Sequence, residues 1–213
     1  MLALALPAGA QTATSAPLAP DRTGMQTRLA ACALCHGKLG EGDMGKRGGV
    51  YPRLAGQPAE YLYRQLVRFK AERRTGIPPV TTMQRLLANL TPAYMHAIAA
   101  FYAASPVQYP PAPHVDAALH ARGRAIVDAG FPKRDIPACT VCHGADLAGR
   151  PPATPALAGQ SARYLTVQFM HWRLGQRHNA LHRQIAATLT DKDMQAVAAY
   201  LSTLRPATPS TAP

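Results

Sequence analysis

Two stretches of the chain set two thiols and an imidazole within about one turn of backbone: Cys32-Ala33-Leu34-Cys35-His36 and Cys139-Thr140-Val141-Cys142-His143. Together they use all four cysteines of the 213 residues, so no thiol is left for nucleophilic catalysis or an additional bridge. Two cysteines at this spacing can capture both vinyl groups of one porphyrin as thioethers, and the histidine that follows can then bind its iron. The same spacing also serves half a zinc site or a redox disulfide. Zinc would need the two pairs to converge on one metal, yet they lie in separate repeats across a proline-rich segment. A thioredoxin-like disulfide needs a strand–helix–strand setting, and no strand pattern flanks either pair. Two covalently bound haems c are therefore the expected cofactors, attached at Cys32 and Cys35 and at Cys139 and Cys142, with His36 and His143 as the first iron ligands.

An electron-carrying haem iron usually takes a second protein ligand from its other face, and a methionine there raises the potential. In the loop expected between the middle and last helices, Thr75 to Asn89, the candidate is Met83, seven residues before Leu90-Thr91; Met44 is the rival. The corresponding segment of the second half contains no methionine, and the residue seven before Leu189-Thr190 is His182. This predicts histidine on both faces of the second iron. His178, an open coordination position, Met170 and Met194 are the alternatives there. Met95, Met170 and Met194 read as packing residues on helix faces, and His96, His114, His120 and His171 as surface or linker histidines. Two imidazoles favour ferric iron more than imidazole plus thioether, so electrons are expected to run from the second haem to the first.

The elements that must position these residues occur twice, with a period of about 100 residues. Pro52-Arg53-Leu54-Ala55-Gly56-Gln57 returns as Pro155-Ala156-Leu157-Ala158-Gly159-Gln160, Tyr61-Leu62 as Tyr164-Leu165, Leu90-Thr91 as Leu189-Thr190, and Ala99-Ala100-Phe101 as Ala198-Ala199-Tyr200. In each copy the middle segment is helical by spacing: Leu62, Leu66 and Phe69 in one, Leu165, Phe169 and Trp172 in the other. The last segment of each copy begins at a cap, Thr91 before Pro92 and Thr190 with Asp193 three residues on. With a short helix leading into each cysteine motif, this gives three or four helices per copy. The expected fold is all-α, two tandem domains over 20–104 and 116–205, with a proline-rich linker over 105–115 and a tail over 206–213 too poor in apolar residues to fold.

Sixteen glycines and twenty prolines with few β-branched runs suit short helices and long loops, a composition that needs a staple such as a buried porphyrin. The formal charge of +12 argues for a partner of opposite sign, an acidic redox protein or an anionic membrane surface. Nucleic acid is excluded as a partner, because the basic residues are scattered and aromatics are few. Residues 1–10 are apolar and end in Ala8-Gly9-Ala10, a pattern suited to signal peptidase although the basic start is missing. No other stretch reaches the roughly 20 apolar residues of a membrane helix, so a soluble, exported protein is expected.

With these motifs in view, the sequence from about Thr23 to Leu204 resembles the di-haem cytochrome c4 family. The likeness is carried by the paired Cys-x-x-Cys-His-Gly motifs, by Pro-x-Leu-Ala-Gly-Gln followed by Tyr-Leu, and by the closing helix after Leu-Thr. It implies two class I cytochrome c domains related by a pseudo-twofold axis, and periplasmic electron transfer, often to a terminal oxidase. It also implies iron ligands at His36, Met83 and His143; His182 stands where the family has a second methionine. The expected function is electron transfer rather than catalysis, either as a diffusible carrier or as a fixed subunit serving a dehydrogenase. A peroxidase-type or thiosulfate-oxidising enzyme is the third reading.

Overall fold

The computed structural model describes residues 22–42, 49–76 and 78–206. The apolar stretch 1–10, Met44 and the tail beyond Pro206 lie outside them. In the first half α1 (Arg22–Arg28) and α2 (Ala30–His36) lead to α3 (Ala59–Lys70), α4 (Pro78–Leu87) and α5 (Pro92–Ala103). In the second, α6 (Ala117–Ala129), a 3-10 turn (Pro132–Arg134) and α7 (Cys139–His143) precede α8 (Ala162–Arg173), α9 (Ala180–Thr188) and α10 (Asp191–Thr203). The described residues contain no β-strand beyond isolated bridges, and the fold is all-α as expected.

Local chemistry sets these boundaries. Thr91 caps α5 by accepting from the Tyr94 amide at 3.2 Å, with Pro92 in the first turn where its missing N–H costs nothing. Thr190 and Asp193 form a full capping box on α10, the Thr190 hydroxyl accepting from the Asp193 amide and the carboxylate accepting from the Thr190 amide, both at 3.1 Å. Each closing helix then buries an apolar face: Met95, Ile98, Phe101 and Tyr102 in one half, Met194, Val197 and Leu201 in the other. They pack on α3 and on α8 respectively, and α10 also lies along α6. That last crossing is close enough to demand glycine, since a Cβ on Gly123 would collide with the Ala196 carbonyl oxygen.

Three expectations are corrected. The segments before the closing helices are helical: Val80, Met83 and Leu87 share one face of α4, and His182, Ile185 and Ala186 recur with the same period in α9, which Leu189 closes. Each half accordingly has five α-helices among the described residues, because the leading helix is interrupted, at Leu29 in one half and between Gly130 and Ala138 in the other. His171 is buried rather than on the surface, because α8 faces the other half of the molecule.

The halves meet about a pseudo-twofold axis that the repeat itself makes visible. Gln160 accepts from the Arg53 amide (3.0 Å) and donates to the Arg53 carbonyl (2.8 Å); Gln57 does the same to Ala156, at 2.9 and 3.0 Å. Arg53 and Ala156 are matching positions, as are the two glutamines, so one interaction is made twice with the halves exchanged. Arg74 and Arg177, also matched, face each other in an antiparallel bridge. From Ser105 to Val115 the chain has no regular element. It is pinned by Tyr109, whose ring lies between the guanidiniums of Arg53 (5.2 Å) and Arg205 (5.3 Å).

Candidate haem sites

Cys32, Cys35 and His36 lie in one short helix, and Cys139, Cys142 and His143 in another; none of the four thiols is in a disulfide. Each helix stops at the glycine after the histidine, Gly37 at φ 82° and Gly144 at φ 91°, a region L side chains rarely enter. Both histidines are buried. His36 Nδ1 lies 3.1 Å from the Pro52 carbonyl oxygen and His143 Nδ1 lies 2.8 Å from that of Pro155. A carbonyl only accepts, so Nδ1 carries the proton in both and Nε2 is left with its lone pair, the tautomer a metal needs. The repeated Pro-x-Leu-Ala-Gly-Gln motif thus does two jobs: its proline carbonyl orients the histidine and its glutamine locks the halves together.

Opposite His143 stands His182, with ring centroids 6.0 Å apart and planes at 89°. A metal bonded to both Nε2 atoms at about 2 Å would hold the centroids roughly 6 Å apart. Burial, the facing His143 and the nearby Arg177 hold the His182 pKa down to about 4, and burial lowers that of His143. Both rings are therefore neutral at physiological pH. His178 is exposed. Met83 is half-buried on α4. Met95 and Met194 are buried in the two cores, and Met170 is solvent-facing. His96 and His114 are exposed, His96 stacking on Tyr63, and His120 sits against Tyr200.

A cluster on the pseudo-axis escaped the sequence reading. Arg74 and Arg177 are both buried, and neither has an acidic partner among the described residues. Arg74 donates to Gln65 (3.2 Å) and Gln168 (2.9 Å); Arg177 donates to Gln168 (2.9 Å), Gln65 (3.3 Å) and the Tyr61 hydroxyl (3.1 Å). Burial and Arg177 lower the Arg74 pKa to about 10, so it stays charged at neutral pH. Its Nε, and the indole Nε1 of Trp172, are buried without a hydrogen-bond partner among the described residues. Two buried cations and two orphaned donors fit acidic acceptors of the kind haem propionates supply. The only signal in the sequence was that both arginines recur at matching positions after the middle helix.

Among the described residues no three His, Cys, Asp or Glu side chains gather to hold a metal by themselves. His143 and His182 would together suit an iron whose remaining positions a porphyrin fills. A tandem helical fold with one Cys-x-x-Cys-His helix in each half defines a di-haem c-type cytochrome. The cytochrome c family model matches residues 120–205. Cytochrome c4 of Azotobacter vinelandii is 32% identical over 196 residues, covering 87% of this chain and 90% of its own. The thiosulfate dehydrogenase electron acceptor of Stutzerimonas stutzeri (strain A1501) is 37% identical over 182 residues, covering 84% and 81%. The crystal structure of reduced recombinant cytochrome c4 from Pseudomonas stutzeri superposes with a TM-score of 0.75 at 31% identity, covering 88% of this chain and all of that one. The chain belongs to the di-haem cytochrome c4 family, carries covalently bound haem c, and is an electron-transfer protein rather than an enzyme.

Proposed function

We propose that this cytochrome is a periplasmic single-electron carrier with unlike iron sites, ligated by His36 and Met83 in the domain 20–104 and by His143 and His182 in the domain 116–205. When bound, each haem supplies a one-electron iron couple. The Pro52 and Pro155 carbonyls hold the first ligand of each site in the metal-binding tautomer. Arg74, Arg177 and the Trp172 indole would offer donors to haem propionates. An imidazole from His182, in place of a thioether, lowers the potential of the second site, which orders electron flow from the C-terminal to the N-terminal half.

The observation that carries this reading is the approach of two imidazoles in one half, His143 and His182, with ring centroids 6.0 Å apart and planes at 89°. A dehydrogenase as electron donor is supported by the relative whose name describes that role; an acidic docking face on it would suit the charge of +12. A terminal oxidase is the onward acceptor, and an anionic membrane surface would concentrate the protein near it. No helix among the described residues is long and apolar enough to cross a membrane, and residues 1–10 would serve as the export leader.

The test is electron paramagnetic resonance and a redox titration of the matured protein beside its His182→Met variant. Two distinct low-spin ferric signals and two separated potentials are expected, with the lower potential rising toward the upper in the variant. Identical His/Met spectra for both haems in the parent protein would refute the assignment.

A further inference from the structure

The residue that precedes the far-side ligand by three positions changes with the ligand. In the first half Met83 follows Val80, which is buried; in the second, His182 follows Asn179, which is exposed. Asn179 is the N-cap of α9, and its Oδ1 accepts the His182 amide at 3.0 Å. The same Oδ1 lies 3.0 Å from His182 Nδ1. A backbone N–H only donates, which identifies the asparagine atom as the oxygen. That oxygen can only accept, so the proton sits on Nδ1 and the Nε2 lone pair is exposed on the other side of the ring. The imidazole face rests on Trp172 (4.3 Å between centroids), whose ring in turn carries the Arg177 guanidinium at 4.5 Å. A thioether has neither tautomers nor a ring proton, so an apolar valine suffices beside Met83.

We infer that Asn179 is a positioning residue for the second iron site, fixing His182 in its Nδ1–H tautomer and aiming Nε2 at the metal. The inference rests on the bis-histidine reading above. Asn179 and His182 then form a unit in which α9 nucleation and ligand orientation share one oxygen. Hydrogen bonding at the far nitrogen also makes an imidazole a stronger donor to metal, and loss of such a partner typically costs 10–100-fold in ligation.

Two variants separate this role from helix capping, because glycine and aspartate both serve at an N-cap with little or no loss. Asn179→Gly removes the acceptor; Asn179→Asp keeps it and adds charge. In the matured di-haem protein, potassium cyanide titrated against the ferric form reads how firmly the far-side ligand is held. Asn179→Gly is expected to raise cyanide affinity at one iron 10–100-fold with the fold intact by circular dichroism, whereas Asn179→Asp stays at or below the parent value. Asn179→Asp is further expected to stabilise the ferric state of that iron about tenfold, a fall of 59 mV for one electron. Parent-like cyanide binding in Asn179→Gly overturns the inference. His182→Ala, run in parallel, tells the two readings apart. If it too binds cyanide as the parent does, His182 is not a ligand and both fail; if it binds far more tightly while Asn179→Gly does not, only the role of Asn179 fails.

Discussion

Gln160 offers the sharpest test of how the two halves are held. Its side chain satisfies both main-chain groups of Arg53 at 3.0 and 2.8 Å, and both residues are about 4% exposed. Gln160→Leu keeps the bulk and removes the bonds, stranding one buried N–H and one buried C=O. At about 1–3 kcal/mol for each unsatisfied group, the expected loss is roughly 2–6 kcal/mol. Gln57→Leu removes the symmetric pair to Ala156 and should cost a similar amount. Guanidinium chloride unfolding of the holo-protein, followed by far-ultraviolet circular dichroism and by haem absorbance, measures both. The loss falls on contacts between halves and not within them, so the variants should also part the unfolding of one half from the other, and the two probes should cease to coincide. Losses below about 0.5 kcal/mol in both variants, with one coincident transition, would show that water replaces these bonds at no cost and that the interface does not depend on them.

Gly123→Ala places a methyl against the Ala196 carbonyl oxygen, where α6 crosses α10. Overpacking of about 1–3 kcal/mol or more should outweigh the gain of up to about 1 kcal/mol from better helix propensity; a melting temperature equal to or above the parent's would contradict the crossing. Asp193 accepts from Thr190 and from Arg122 at 2.6 Å, bonds that hold its carboxyl below the usual range against the opposing effect of desolvation. Its contribution is complete above the unfolded pKa of about 3.9 and fades as pH falls through the lower native value. Asp193→Asn should therefore flatten the acid limb of the stability profile below about pH 4, and an unchanged limb would discount the capping box as its source.

Local chemistry was legible before any fold was known. The Cys-x-x-Cys-His runs, the caps at Thr91 and Thr190 and the apolar faces of the middle and closing helices involve residues a few positions apart, whose interactions follow from backbone geometry alone. The internal repeat added the existence of two like halves. It left the segments around Met83 and His182 looking like loops, because mixed polar sequence masks a short amphipathic helix until something packs on its apolar face.

By itself, then, the amino-acid order determined that two Cys-x-x-Cys-His runs head two like halves, and that His182 stands in the second half where Met83 stands in the first. Only the tertiary structure decided that His182 and not His178 faces His143, that His171 is internal, and that Arg74 and Arg177 are buried together with no acidic partner among the described residues. The physical reason is separation. Those relations join residues from different helices or from opposite halves, and nothing in a local window records which side of a helix another part of the chain will cover.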